Sequence, residues 1–317
     1  MKLQSLIPAS LIPASLIRVY QKSTPFGKLL FFASLWLIAV VVLKPFVRTQ
    51  ENMSGITEEF SMKEGYEVYD DFYADLYDYL VFSNVKNKYE IGKIISITQP
   101  NEQSMIADIG CGSGHHVSEL ASKNYPVVGI DISPAMVRQA KKNYPSCEFV
   151  VGNALEDTLF ERSALTHILC LYFTVYYFPD KRQFFRNCMD WLMPGGYLVL
   201  HLVDRETFDP ILPPGNPLYV VSPQKYSKQR ITNTKVTFQD FVYTSNFSLD
   251  TNADLGFFDE KFKFKDGKVR KQQQKLYMED TSDIINMALE CGFLLQEKND
   301  MVSCAYENQF LYVLVKP

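Results

Sequence analysis

Three stretches of the 317-residue chain predict an α/β fold with helices on both faces of a mostly parallel sheet. In the first, Ala107-Asp-Ile-Gly-Cys-Gly-Ser-Gly114, an apolar strand over 105–109 turns through a glycine-rich loop into a helix over 115–122. In the second, the apolar strand 126–130 ends in Asp131, and Ser133-Pro134 then supply an N-cap and a first-turn proline for a helix over 135–142. The third is a run of further apolar strands at 147–151, 166–171 and 197–203, with an amphipathic helix over 180–193 between the last two. Strands that alternate with helices form parallel sheets, because each crossover helix packs back onto a sheet face.

Asp108, Gly110, Gly112 and Gly114 fall at every second position of the loop. With no Cβ in the way, the backbone there can turn sharply and approach a bound group. The helix beyond offers unpaired N–H groups and a positive dipole end to an anion. A dinucleotide fingerprint needs its third glycine at position 115, which is His. The D-x-G-x-G-x-G spacing instead resembles the first motif of the class I S-adenosylmethionine-dependent methyltransferases. Val-Gly-Ile-Asp131-Ile-Ser-Pro resembles their second motif, Gly152-Asn153-Ala154 stands where that family contacts adenine, and Met193-Pro-Gly-Gly-Tyr-Leu-Val-Leu200 resembles their fifth strand.

The resemblance implies a Rossmann-like, seven-stranded methyltransferase sheet and S-adenosyl-L-methionine as cofactor. It places Asp108, Gly110, Cys111, Gly112 and Gly114 at the methionine end, and Asp131 with Ile132 at the ribose. Asn153 and Ala154 would lie at the adenine, where Asn keeps a carbonyl acceptor but lacks the charge of the family's usual Asp. Cys170, at the end of the fourth strand, is a further expected cofactor contact, and Tyr172, Tyr176 and Tyr177 lie beyond that strand's carboxyl end, which places them near the transferable methyl. Cys111 stands where the family commonly has Cys or Ser.

The N-terminal region is read separately. Residues 1–27 are a basic segment holding the repeats Ser5-Leu-Ile-Pro-Ala and Ser10-Leu-Ile-Pro-Ala, whose prolines exclude one continuous helix. Residues 29–43 carry no charge and are bracketed by Lys28 and Lys44. As a helix this run spans about 22 Å, and flanking residues extend it toward the ~30 Å hydrocarbon core if both lysines snorkel. A single-pass membrane anchor over 28–47 is therefore expected. Four basic residues precede it and two follow, which predicts a cytoplasmic N-terminus, whereas cytosolic supply of the cofactor argues against an exported body. The acid-free, basic start also fits a mitochondrial presequence ahead of an inner-membrane anchor, so mitochondrial inner membrane and endomembrane both stand.

After the anchor, a helix over 65–80 places tyrosines 66, 69, 73 and 77 on one face. Tyr69 and Tyr73 are the expected cofactor contacts among them, against the alternative of an aromatic core stripe. A second helix over 85–98 leads into the glycine-loop strand. Core segments at 60–203 and 281–317 bracket a β-rich insertion over 204–280. It opens with a proline loop, has strand-like runs at 236–247, 256–265 and 269–278, and turns at Asp266-Gly267. The insertion is expected to cover the mouth of the site and select the acceptor. A helix over 281–291 and strands 293–297 and 309–315 close the sheet.

From residue 51 on, 26 basic residues face 36 acidic ones, so the body repels a nucleic-acid backbone and no nucleic-acid partner is expected. The lysines of 261–275 read as the solvated face of a strand. The six cysteines show no metal or disulfide pattern, and no metal is expected. An amine acceptor needs only to be unprotonated, whereas a hydroxyl or carbon acid needs a base. Asp204, His201 and Tyr176 are the candidate catalytic groups, with His201 read first as a core histidine. The expected activity is methyl transfer to a small-molecule acceptor (an amine, a sugar or a lipid-derived molecule). The alternative is a catalytically silent scaffold on the same fold.

Overall fold

The computed structural model describes residues 60–213 and 223–317, together with Thr24 and Lys28. Apart from those two residues, the expected basic segment (1–27) and anchor (28–47) lie outside the described residues, as does part of the proline loop. Among the described residues, no helix is long and apolar enough to cross a membrane.

The strands, in chain order, are β1 (Phe60–Glu64), β2 (Ile106–Ile109), β3 (Val127–Asp131), β4 (Glu148–Val151), β5 (Leu165–Cys170) and β6 (Leu192–Val203). β7 (Asn233–Thr237), β8 (Phe241–Asp250), β9 (Leu255–Phe264), β10 (Val269–Tyr277), β11 (Leu294–Met301) and β12 (Tyr306–Val315) follow. Seven of them form one sheet in the order β11-β12-β6-β5-β2-β3-β4. β2 to β6 run parallel, and β12 is antiparallel to both of its neighbours.

Side-chain alternation along the strands builds a core on each face. Ile168, Cys170, Leu198 and Leu200 pack with Phe184, Phe185 and Trp191 of helix α5 (Lys181–Trp191) and with Ile284 and Ala288 of α6 (Thr281–Glu290). Leu169, Val199 and Leu311 point the other way, onto Ile91 and Ile94 of α2 (Asn84–Thr98) and Leu120 of α3 (His115–Ala121). Burying each large side chain of these clusters contributes roughly 2–3 kcal/mol. Ser133 caps helix α4 (Pro134–Asn143) through the Met136 N–H, as its position before proline predicts.

The remaining strands form a second sheet, β1-β10-β9-β8-β7. Two expectations change here. The segment 65–80 is not one helix. It follows β1, which pairs in parallel with β10, makes a single turn over Gly65–Val68, and becomes helix α1 only at Asp71–Val81. The reason is a helix start at Asp70, whose carboxylate accepts the Tyr73 N–H at 3.1 Å. Tyr66 is left outside, 68% exposed, while Tyr69, Tyr73 and Tyr77 remain clustered, with ring centroids 5.5–6.3 Å apart. The run 236–247 is likewise two antiparallel strands, β7 and β8, broken where the Phe238 N–H closes a turn onto the Phe241 carbonyl.

Two titratable side chains sit inside the central strands with opposite preferences. Burial lifts the Asp108 carboxyl to about 6 and draws the His167 imidazole down to about 4. Folding therefore favours a protonated Asp108, a contribution present below pH 3.8 and lost as pH rises through about 6. It also favours a neutral His167, a contribution present above pH 6.5 and lost as pH falls through about 4. Urea unfolding at pH 4.5 and 7 separates the two. Relative to the parent, Asp108→Asn should gain about 2 kcal/mol between those pH values and His167→Gln should lose about 2. A pH-independent difference for either variant would refute its assignment.

Candidate active site

A cavity of about 600 Å³ opens beyond the carboxyl ends of β2 to β5, the edge where open α/β sheets bind ligands. One wall is the loop between β2 and α3. Gly110 and Gly114 hold φ at +73° and +91°, and a Cβ on Gly114 would stand 2.6 Å from the Phe149 ring. On Gly110 it would run into Thr174. A side chain at either position would be strained and crowded.

Asp131, at the tip of β3, fixes this wall. Its Oδ2 accepts the Gly112 N–H and its Oδ1 the Ser133 N–H, both at 2.9 Å, and the Gly110 and Cys111 amides donate to the Ile130 carbonyl. Burial raises the Asp131 carboxyl, and the two amides oppose that shift. Each carboxylate oxygen keeps lone-pair capacity for a vicinal diol.

Of the residues singled out in the sequence, Gly110, Cys111, Gly112, Asp131 and Ile132 line the cavity, as do Asn153, Ala154, Tyr172, Tyr69 and Tyr73. Asn153 also accepts the Leu155 N–H, so its carbonyl is shared with its own turn. Tyr172 holds φ at +53°, a conformation bulky residues rarely adopt, and Lys86 Nζ lies 4.5 Å from its ring centroid. Asp108, Gly114 and Cys170 stand behind the wall, outside the lining; Asp108 is 1% exposed and its Oδ2 has no partner.

None of the three candidate catalytic groups lines the cavity. His201 is fully buried, with Nδ1 2.8 Å from Glu90 Oε1 and Nε2 2.9 Å from Gln309 Oε1. The Tyr176 hydroxyl accepts the Val203 N–H. Asp204 is exposed and caps a turn by accepting from Glu206 and Thr207. Each already has a structural role.

Sequence reasoning missed two buried carboxylates. Glu90 contacts Lys86, His116 and His201 at 3.2, 2.9 and 2.8 Å. Its own burial raises the carboxyl, but Lys86 and the two imidazoles prevail and hold it well below the usual range. Glu260, on β9, accepts from Tyr73, Tyr243, Gln272 and Gln274. Burial still raises its carboxyl against those four bonds. A Lys–Glu pair four apart at the start of a helix that turns apolar after Glu90 was the available signal. Glu260, flanked by Asp259 and Lys261, had none.

Comparison with known proteins identifies the class. Residues 106–196 match the family model for a methyltransferase domain. The chain is 29% identical over 155 residues to a dTDP-4-amino-2,3,4,6-tetradeoxy-D-glucose N,N-dimethyltransferase of Saccharopolyspora spinosa, covering 47% of this chain and 60% of that protein. It is 26% identical over 137 residues to trans-aconitate 2-methyltransferase of Escherichia coli, covering 40% of this chain and 50% of that one. The chain thus spans about half the length of the curated relatives it matches. Two solved structures share the fold. The CcbJ methyltransferase of Streptomyces caelestis has a TM-score of 0.59 at 16% identity, over 78% of this chain and 98% of that one. An amino pentose methyltransferase of Micromonospora echinaspora, solved with S-adenosylmethionine bound, scores 0.51 at 17% identity over 73% and 90%.

Residues 106–196 therefore match a methyltransferase domain, and the chain shares the fold of solved S-adenosylmethionine-dependent methyltransferases. The family's cofactor is S-adenosyl-L-methionine, and the cavity suits it: a glycine wall free of side chains, an oriented Asp131 carboxylate and tyrosine faces. Asp131→Asn keeps the size of the side chain but removes its charge and one acceptor oxygen. It should weaken S-adenosylhomocysteine binding by at least tenfold in calorimetry, about 1.4 kcal/mol or more. Unchanged affinity in a folded variant would remove Asp131 from the site.

Proposed function

We propose that the chain is an S-adenosylmethionine-dependent methyltransferase acting on a small-molecule acceptor, with residues 28–47 as a single-pass membrane anchor. The observation that carries the catalytic part is the Asp131–Gly112 clamp at the wall of a cavity large enough for two ligands. The named relatives, which act on an amino sugar and on trans-aconitate, favour a small acceptor. The anchor and the membrane location rest on the uncharged run 29–43 alone.

In this reading Asp131 binds the ribose hydroxyls, and Ile132, Asn153 and Ala154 border the adenine. The glycine loop borders the methionine end. When bound, the sulfonium supplies a methyl group for in-line displacement and leaves as a neutral thioether. The protein's contribution is alignment and exclusion of water, which can supply several kcal/mol of the barrier reduction. The tyrosine faces around the cavity favour a cation by about 0.5–2 kcal/mol. The second sheet, through Phe247, Phe258, Gln274 and Leu276, supplies the wall facing the acceptor.

Full-length protein should give saturable heat with S-adenosylhomocysteine and transfer labelled methyl from S-adenosylmethionine into a low-molecular-weight fraction of a cell extract. Label appearing only in protein or nucleic acid would overturn the small-molecule reading. Absence of saturable binding would overturn the enzyme assignment.

A further inference from the structure

A single polar chain crosses from the second sheet to the cavity, and its hydrogen-bond directions are fixed from one end. It starts at Arg270, which can only donate. Its Nη1 holds both oxygens of Asp70, and its Nε donates to Gln272 Oε1 at 2.9 Å. That orients the Gln272 amide, so its Nε2 faces Glu260 Oε2 at 2.6 Å and donates to it. Glu260 Oε2 then accepts Gln274 Nε2 at 2.7 Å, and Gln274 Nε2 also donates to the Tyr73 hydroxyl at 3.2 Å. With its nitrogen committed to this side, Gln274 turns its carbonyl to the cavity. Residues 270, 272 and 274 share one face of β10, and all three are buried.

At the cavity the Gln274 carbonyl accepts from the Tyr177 hydroxyl and, at 3.3 Å, from that of Tyr69. The two hydroxyls are 2.7 Å apart. Because Tyr177 gives its proton to Gln274, it can only accept at that contact, and the Tyr69 proton points to Tyr177 or Gln274. Both tyrosine protons are therefore used. What remains toward the cavity is lone pairs: a surface that accepts hydrogen bonds and has no proton of its own to give. Tyr69, Tyr177 and Gln274 all line the cavity. Tyr177 stands in the turn Thr174–Tyr177, shortly after β5, and the Tyr69 carbonyl is held by Ser133 beside Asp131. The pair thus lies between the cofactor loop and the second sheet, where an acceptor atom has to meet the methyl group.

We infer that Tyr69 and Tyr177 form an acceptor-only cradle for an amine, with Gln274 and Glu260 as its positioning residues. This rests on the methyltransferase reading and names the substrate class within it. A primary amine donates both N–H bonds to the two oxygens and keeps its lone pair free as the nucleophile. A carboxylate brings only acceptors and would face the remaining lone pairs of the two hydroxyls with nothing to donate to them. An alcohol offers one donor and falls between. The neighbouring wall of Phe208, Phe247, Phe258 and Leu276 suits an amine carried on an apolar body.

The test is calorimetry on full-length protein saturated with S-adenosylhomocysteine, titrated with phenethylamine, 2-phenylethanol and 3-phenylpropanoate. Phenethylamine should bind at least tenfold more tightly than the carboxylate, with the alcohol between them. Tyr177→Phe and Gln274→Met should each reduce the amine's affinity about three- to tenfold, the range expected for one lost hydrogen bond. Both should leave S-adenosylhomocysteine affinity within twofold, which also reports that the variants are folded. Carboxylate binding equal to or better than amine binding would overturn the inference, as would failure of all three probes to bind at millimolar concentration. It would also fall if Tyr177→Phe weakened S-adenosylhomocysteine and left the amine preference intact, because the pair would then serve the cofactor. Failure of the unsubstituted protein to bind S-adenosylhomocysteine would instead bring down the methyltransferase reading on which the inference stands.

Discussion

The site depends on one carboxylate that closes a loop. Parallel strands β2 and β3 end side by side, and their connections leave the same sheet edge. Unless something ties them, the backbone beyond β2 has no defined position relative to β3. The Ile130 carbonyl begins that tie by accepting the Gly110 and Cys111 amides, and Asp131 completes it by accepting one amide further along the glycine loop and one from the turn that starts α4. The consequence is directional: the carboxylate lines the cavity and keeps lone-pair capacity there for a diol. In the proposed reading, cofactor binding and local fold are two uses of one carboxylate, and a substitution at Asp131 acts on both.

How much of this was legible in the sequence follows from how local each feature is. The Ser133 cap bonds within three residues, the glycine loop and the apolar strands are marked by their own composition, and Asp131, 19 residues beyond the Gly112 it holds, is marked by its spacing from that loop, so spacing and composition suffice to read them. The α1 region shows where that limit falls. Tyr69, Tyr73 and Tyr77 were readable as a shared face, but β1 was not, because its partner β10 lies about 200 residues away. The glutamines of β10 failed for another reason. Alternation of Lys with Gln has the period of a half-solvated strand, and Lys271 and Lys275 are indeed exposed. Gln272 and Gln274 are buried because Glu260, on the adjacent strand, gives their amides a charged acceptor. Periodicity identifies which residues share a face; it does not say whether a polar face meets water or another polar group.

The misplaced catalytic candidates follow the same pattern. His201, Tyr176 and Asp204 sit at or near the carboxyl end of β6, which is the right edge of the sheet. Each nevertheless turns to a partner other than the cavity: Glu90 and Gln309 for the histidine, Val203 for the tyrosine, the following turn for the aspartate. Position along a strand narrows a side chain to one end of the sheet. The adjacent element then decides between core and cavity, and for β6 those elements are α2 and β12.

The two buried carboxylates that the sequence did not reveal divide the molecule by charge. Glu90 is compensated by Lys86 and flanked by two imidazoles, so its side of the cavity combines charges of both signs. Among the described residues, Glu260 accepts hydrogen bonds from neutral donors alone, two phenols and two amides. A carboxylate solvated by neutral dipoles keeps its field, whereas one paired with an ammonium loses most of it. Gln274 carries that polarity outward, with its nitrogen toward the charge and its oxygen toward Tyr69 and Tyr177. The second sheet is thus more than a cover over the cavity: it contributes a wall whose electrostatic sign is set by a residue two hydrogen bonds behind the surface. An amine nucleophile becomes more cationic as it takes a methyl group, so a wall that is already negative stabilises the product-like charge without having to reorganise.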